Sequence, residues 1–432
     1  MPDLNVAIFL LLGSFVLLLI LRTPITFSLG VSAIITAFYL KIPLMALVQQ
    51  MVKGIQSFSL MAIPFFILAG EIMGEGGISR RLIEFSNVLI GRVRGGLAQV
   101  NILASMFFGG ISGSAVADTS SIGAILIPMM KKNGYDTDYS VGVTVTSACQ
   151  GVIIPPSHNM IIYSLAAGGV SVGKLFLGGF VPGVILGVAL MIISYIIAVK
   201  RNYSRGEKIP FKQALKISKD AILGIMTAVI IIGGVLSGIF TATESAAIAC
   251  VYAFIITFFV YREIPLSRMN TILYNSLKTL ALVLSLIATA NAFGWLLAYL
   301  KVPTLATNAL LSLSQNKYLL LLMINVMLLL LGCIMDMAPL ILITTPILLP
   351  VVTALGMHPV HFGVMLILNL AIGLCTPPVG SALFVGCAIG DISIEKITKS
   401  MLPFYLTMVA VLLLVTFVPD VVMFVPTLLM GK

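Results

Sequence analysis

Apolar stretches of the length that crosses a bilayer recur along this entire chain, and nothing else in the sequence restricts its fold as strongly. Residues 5–21, 175–199, 221–240 and 401–417 are runs or near-runs of the roughly 20 apolar residues that a membrane-spanning helix needs. Hydrophobic residues make up 59% of the chain and charged residues 9%, whereas a soluble domain carries about 25% charged residues. An all-α polytopic membrane protein is therefore expected. The net charge of +10, which in a soluble protein would point to nucleic acid, is read here as topogenic charge in cytoplasmic loops, with no nucleic-acid partner. Cys149, Cys250, Cys333, Cys375 and Cys387 lie in apolar segments without metal-ligand spacing and read as small core residues. The run at 5–21 has neither a basic n-region nor a small-residue cleavage site, so it is expected to be a retained span.

Two stretches match in layout: GSAVADTSSIGAILIPMM at 113–130 and CIMDMAPLILITTPILLP at 333–350. In each an Asp precedes a Pro by ten positions, Asp118 to Pro128 and Asp336 to Pro346. A Pro-Pro pair follows within an apolar segment, Pro155–Pro156 and Pro377–Pro378, and eighteen positions after each second Pro stands Lys174 or Lys396. The chain then divides into repeats at 1–199 and 221–432, joined by a cytoplasmic linker at 200–220. The first holds scaffold spans (5–76), an amphipathic arm (78–94), a re-entrant helical hairpin (96–132), a span broken at Pro-Pro (139–164) and a last span (172–199). The second repeats the order at 221–300, 302–314, 317–355, 360–389 and 396–419. Five crossings per half is an odd number, which inverts the second repeat relative to the first, an arrangement used by secondary transporters.

This parse places nineteen basic residues on one side, among them Arg80, Arg81, Lys131, Lys132 and the linker lysines and arginines. The other side receives six: Lys41, Lys53, Lys174, Lys301, Lys317 and Lys432. By the positive-inside rule the first side is cytoplasmic. Ile78, Leu82, Phe85 and Leu89 recur at helical spacing in the first arm, as do Leu305, Ala309, Leu310 and Leu313 in the second, the pattern of a helix lying in the interface. Such arms are either plain connecting helices or braces for a moving domain.

Proline frees the carbonyl four residues before it, and at membrane depth freed backbone survives only where protein, water or an ion satisfies it. The two Pro-Pro breaks therefore suggest oxygens for a hard cation such as sodium, and half-helix N-termini for a carboxylate. One candidate site joins Ser112, Gly113 and Ser114 of the first hairpin tip, with Asp118 and Thr119 beyond them, to Pro155, Pro156, Ser157, His158 and Asn159. A second joins Asp336 to Thr376, Pro377, Gly380 and Ser381. Within these sets sodium is assigned to Ser112, Gly113, Ser114, Pro155, Ser157, Asn159, Asp336, Thr376 and Gly380. Substrate is assigned to Asp118, Thr119, Pro156, His158, Pro377 and Ser381. The plainer alternatives are that the small residues only permit close helix packing and that each Asp caps a hairpin helix. His158 reads as a structural hydrogen-bonding group before a proton relay, Thr243, Glu244 and Ser245 as a helix start or a partner contact, and Trp295 as a packing residue. No phosphate loop, zinc-protease or nucleophile-elbow motif is present, and no enzyme is expected.

Five segments resemble the large membrane subunit of TRAP (tripartite ATP-independent periplasmic) transporters: SFSLMAIPFFILAGEIM at 57–73, GGISGSAVADTSSIGAILIPMM at 109–130, PPSHNMIIYSLAAGG at 155–169, FTATESAA at 240–247 and HPVHFGVMLILNLAIGLCTPPVG at 358–380. The resemblance implies an inner-membrane location and an elevator mechanism, in which hairpins and broken spans carry organic acid and sodium past a scaffold. It implies no cofactor beyond the coupling ions, a small membrane subunit, here expected as a separate chain, and a periplasmic substrate-binding protein. The PPSHN segment is closer to sialic-acid members, a lean toward that acid over C4-dicarboxylates. The competing readings are a stand-alone sodium–carboxylate symporter, an ion channel, and an intramembrane enzyme built on Asp118 and Asp336.

Overall fold

The computed structural model describes residues 3–206, 208–314 and 316–431; Lys432 lies outside them, as does the side chain of Leu313. The chain opens with α1 (Leu4–Ile20), α2 (Ile25–Tyr39), α3 (Leu44–Ile55), α4 (Ala62–Glu75) and α5 (Ile78–Ile90). There follow α6 (Gly96–Ser112), α7 (Ala115–Lys132), α8 (Thr137–Gly151), α9 (His158–Ala166) and α10 (Val172–Lys200). The second half runs α11 (Phe211–Leu236), α12 (Ala242–Ile255), α13 (Met269–Tyr299), α14 (Val302–Leu313), α15 (Lys317–Gly332), α16 (Met337–Ala354), α17 (Pro359–Leu374), α18 (Ser381–Gly390), α19 (Ile394–Phe417) and α20 (Asp420–Met430). Every extended regular element among the described residues is helical, and the one β-bridge pairs Arg94 with Arg205.

Six helices among the described residues are long and apolar enough to cross a membrane alone: Val172–Lys200, Phe211–Leu236, Ala242–Tyr261, Leu266–Tyr299, Met337–Ala354 and Ile394–Phe417. A seventh candidate is α4 with α5, a pair bent by 70°. The helix Met337–Ala354 was assigned above to a re-entrant hairpin, yet its 18 residues extend about 27 Å at the α-helical rise. Three elements depart from the sequence parse, the first being α11, which begins at Phe211 inside the stretch read as the linker. Residues 44–55 form a separate amphipathic helix, α3, inside the stretch read as scaffold spans, and α20 follows the last span. Periodicity in α3 was masked by the apolar runs around it, and Pro419 stops α19 and restarts the chain as α20.

The interior is built on two helices. All residues of α8 from Tyr139 to Gly151 are buried, as are all of α17 from Val360 to Leu374. Both are mostly apolar around their full circumference, and their larger polar groups are hydrogen-bonded, Gln150 donating to the Gly183 carbonyl and His361 pairing with the Val415 carbonyl, which is what an enclosed helix requires. Each packs against the first helix of a hairpin through a pair of glycines. A Cβ on Gly109 of α6 would stand 2.3 Å from the Gly151 Cα of α8, and one on Gly373 of α17 would stand 2.6 Å from the Gly332 Cα of α15. Backbones approach this closely only where neither residue has a side chain, the small-residue packing common in membrane bundles. The outer helices present large apolar side chains outward, such as Phe9, Ile20, Phe27, Leu282 and Leu330.

Local chemistry explains the chain reversals. Gly113, at φ +62°, ends α6, and Ser114 caps α7 by accepting a hydrogen bond from the Ala117 N–H at 3.3 Å. The α8/α9 and α17/α18 interruptions each contain a cis Pro-Pro bond, Pro155–Pro156 and Pro377–Pro378. At the α4/α5 bend Glu263 accepts from Arg80 at 2.7 Å and Arg81 at 2.8 Å, and Arg268 donates to Glu75 at 2.9 Å. Thr241 and Glu244 form a reciprocal capping box at the start of α12, so Glu244 serves as a helix-start residue.

Candidate functional site

Both hairpin turns and the first helix break face one central cavity of about 610 Å³. Its walls include Ser112, Ser114 and Ala115–Ala117 from the first hairpin, His158 and Asn159 from the break, and Asp336, Met337 and Ala338 from the second hairpin. The opposite wall is made by Ile67, Gly70, Glu71, Gly74 and Glu75 of α4, with Thr279 and Val283 of α13.

Three helices reach this cavity with their N-terminal ends, whereas α6 and α17 reach it with residues at or near their C-terminal ends, Phe108, Ser112 and Leu374. α7 begins at Ala115, α9 at His158 and α16 at Met337, and the first residues of all three line the space. Each helix start carries a partial positive charge of about half a unit and unpaired backbone N–H groups. No Lys or Arg lines the cavity among the described residues, whereas Glu71, Glu75 and Asp336 do, so any positive charge offered there comes from main-chain dipoles.

The first hairpin tip and the break form one bonded unit. The Asn159 side-chain amide donates to the Gly113 carbonyl at 3.2 Å, and the Ser114 N–H donates to Ser112 Oγ at 3.3 Å. A Cβ on Gly113 would come within 2.7 Å of His158 Nδ1, so the imidazole packs directly on the turn. Ser157 is buried with its hydroxyl oxygen unpartnered, and Pro155 and Pro156 form the break beside Gly110, where a Cβ would lie 2.8 Å from the Pro155 carbonyl.

The second set is looser. Ser381 donates to Asp336 Oδ1 at 3.4 Å, and the Val379 N–H donates to the Cys333 carbonyl at 3.0 Å, which ties the second break to the second hairpin. The carbonyl oxygens of Leu374 and Thr376 lie 3.0 and 2.9 Å from the point where a Gly380 Cβ would be, a close pair of acceptors beside Pro377. The Thr376 hydroxyl is engaged with its own helix, donating to the Ile372 carbonyl at 2.7 Å.

Of the residues read above as substrate-binding, only His158 lines the cavity: Pro156, Pro377 and Ser381 are not on its walls, and Asp118 and Thr119 are fully buried. Positions 115, 118, 119, 122 and 126 form the inward face of α7, which turns both side chains into the protein. The pairing of Asp118 with Asp336 is also offset: Ser114 and Asp336 are the N-cap residues of α7 and α16, whereas Asp118 stands one turn inside its helix. Glu71 and Glu75 were missed, although an acidic pair one turn apart at the end of an apolar run is itself a signal of a wetted face.

The family profile described as "Tripartite ATP-independent periplasmic transporter, DctM component" matches residues 12–421. The chain is 40% identical to the sialic acid TRAP transporter large permease protein SiaM of Vibrio cholerae, over 89% of this chain and 90% of that protein. It is 36% identical to the C4-dicarboxylate TRAP transporter large permease protein DctM of Rhodobacter capsulatus, over 97% of this chain and 99% of that protein. Among solved structures, the YdaH transporter of Alcanivorax borkumensis superposes with a TM-score of 0.63 at 15% identity, covering 86% of this chain and 88% of that one, a likeness of fold.

Proposed function

Because this chain belongs to the DctM family, the large permeases of TRAP transporters, we propose that it takes up an organic acid across the inner membrane, driven by a sodium gradient and fed by a periplasmic binding protein. The observation that carries this reading is the convergence of three helix N-termini on one cavity of about 610 Å³. A carboxylate there would meet backbone N–H groups and aligned dipoles without a cationic side chain, with Glu71, Glu75 and Asp336 also on the walls. His158 and Asn159 in the first break are uncharged side chains on the cavity wall available to orient it, and Ser381 stands behind Asp336.

Sodium, as a transported ion, fits the two sets of hard oxygen donors. Ser112, Gly113, Ser114, Pro155, Ser157 and Asn159 form the first, and the unpartnered Ser157 hydroxyl supports it. Asp336, Thr376 and Gly380 form the second, supported by the paired Leu374 and Thr376 carbonyls. The moving unit in the proposed elevator comprises α6–α10 and α15–α19, passing a scaffold of α1–α5 and α11–α14 in two inverted repeats of five crossings. The glycines on the cavity face of α4 leave that surface shallow, and a Cβ on Gly74 would still clear the Ser121 hydroxyl of α7 by 3.9 Å. A small membrane subunit would extend this scaffold.

The test is uptake of radiolabelled sialic acid and succinate into proteoliposomes containing this chain and its small subunit, with and without the binding protein and a sodium gradient. Uptake of one acid only when both are present supports the proposal and names the substrate, with sialic acid the first candidate because relatives such as SiaM carry that name. Sodium-driven uptake without the binding protein would replace it with a stand-alone symporter, and gradient-independent inorganic ion flux with a channel.

A further inference from the structure

Where the linker between the two halves crosses the end of the first arm, the fold gathers positive charge that no described carboxylate pairs with. The Gly95 N–H donates to the Ser204 carbonyl at 3.1 Å, and Arg94 and Arg205 face each other across an antiparallel β-bridge. A Cβ on Gly206 would stand 2.2 Å from the Gly91 carbonyl oxygen, so the linker backbone lies directly on the turn between α5 and α6. Like charges placed opposite one another across such a pair repel. Beside this crossing Arg92 and Lys208 line a cavity of about 350 Å³, together with Asn87, Val88 and Phe211. Among the described residues none of Arg92, Arg94, Arg205 and Lys208 forms an ion pair, and no acidic side chain lines that cavity. Glu84 and Asp220 line a neighbouring cavity, where Lys216 accompanies them.

The cluster stands at the head of a helix that is long and apolar enough to cross a membrane. α11 extends about 39 Å at the α-helical rise, more than the roughly 30 Å of a hydrocarbon core. Its charged residues, Lys212, Lys216, Lys219 and Asp220, all precede Ala221, so the excess length projects at this end into the headgroup layer. Phe211, Leu215, Ile222, Met226 and Val229 are exposed, and spacings of four, seven, four and three residues put them on one side of the helix. The other side packs inward through Ala221, Gly224, Thr227 and Ile231. Phe211 is 84% exposed next to Lys212, and an aromatic ring beside a lysine suits a membrane interface. Since Phe211 also lines the cavity, the two cations and the apolar stripe form one continuous surface.

We propose that this surface binds an anionic phospholipid: Arg92 and Lys208 hold its phosphate, and an acyl chain lies along Phe211, Leu215 and Ile222. A guanidinium and an ammonium both donate to phosphate oxygens, and basic pockets between helices at a membrane surface take such headgroups. A soluble phosphate ester would use the cations and leave the apolar stripe idle, whereas a lipid uses both. Bound there, the lipid neutralises the charge gathered at the crossing and fastens α5 to α11 at the membrane surface.

The test is native mass spectrometry of the chain in complex with its small subunit, in a neutral detergent, titrated with phosphatidylglycerol or with phosphatidylcholine of the same acyl chains. The parent complex should bind phosphatidylglycerol the more tightly, and glycerol 3-phosphate should not displace it. Arg92→Gln combined with Lys208→Gln should weaken phosphatidylglycerol binding about 30-fold, the effect of two basic residues at a membrane surface. Lys132→Gln combined with Lys399→Gln removes the same charge from exposed positions outside the cluster and should leave that binding unchanged. Equal binding of the two lipids, equal losses in the two double variants, or displacement by glycerol 3-phosphate would overturn the proposal. Selectivity shown by the chain alone but lost in the complex would also overturn it and give this face to the small subunit. None of these readouts depends on transport, so failure here leaves the uptake reading to its own test.

Discussion

At the scale of single residues, the backbone of the first hairpin tip is the most demanding feature of the molecule. Gly113 holds φ +62° and has His158 Nδ1 2.7 Å from where a Cβ would stand, whereas Gly134 holds φ +80° with nothing within 4 Å. Gly134→Ala should cost only the left-handed backbone penalty, about 1–2 kcal/mol. Gly113→Ala should cost more and abolish uptake, because the tip and imidazole must separate; melting temperatures of the two variants, measured side by side, check the difference. A pH effect belongs to Asp138. Burial works against its carboxylate, but hydrogen bonding to and charge on Arg201, with a hydrogen bond from Ser400, outweigh this and hold its pKa below the usual aspartate value. A depressed folded-state pKa contributes stability above the unfolded value and loses it as pH falls through the folded one. The difference in melting temperature between the parent protein and Asp138→Asn should therefore be full near neutrality and shrink below about pH 4. Ser112, Ser114, His158 and Asn159 could be found in the sequence because glycine and proline mark their turns locally. The inward turn of Asp118 could not, because it depends on which face of α7 meets α8.

At the scale of elements, the α4/α5 bend tests how a sharp corner is held. Arg80 and Arg81 both reach Glu263, but the Arg80 side chain is 56% exposed and that of Arg81 16%. Arg81 also stacks over the Tyr261 ring at 3.7 Å. A double-mutant cycle should give a coupling of Glu263 with Arg81 of about 1 kcal/mol and with Arg80 close to zero, since solvent screens the exposed pair. Equal couplings would mean that burial does not decide the matter. The helix interruptions were legible because Pro-Pro and Gly act on their own neighbourhood. The amphipathic α3 was not, since twelve residues between apolar runs lack the length that makes a helical period conspicuous, and its docking through Gly54 onto Asn291 is a long-range contact.

At the scale of the whole molecule, the distribution of basic residues predicts which ends face which compartment. Single cysteines introduced at Gly206 in the linker and at Gly168 after α9 should label from opposite sides of sealed membrane vesicles, the first from the cytoplasmic face. Labelling from the same side would refute the inverted arrangement. The all-helical class and the family were evident from composition and motifs, but the cavity was not, because its walls come from seven helices spread along the chain.

Among the described residues that cavity has no Lys or Arg on its walls, and the positive charge it can offer an anion comes from main-chain atoms. A genetic screen for lost uptake would then find few lesions that delete a binding group outright. Its strongest hits should fall on residues without any functional group, the glycines and prolines that aim those amides, while many side chains around the anion tolerate exchange. A protein of this construction can change the acid it accepts by ordinary substitution around a recognition surface that mutation of any one side chain does not erase.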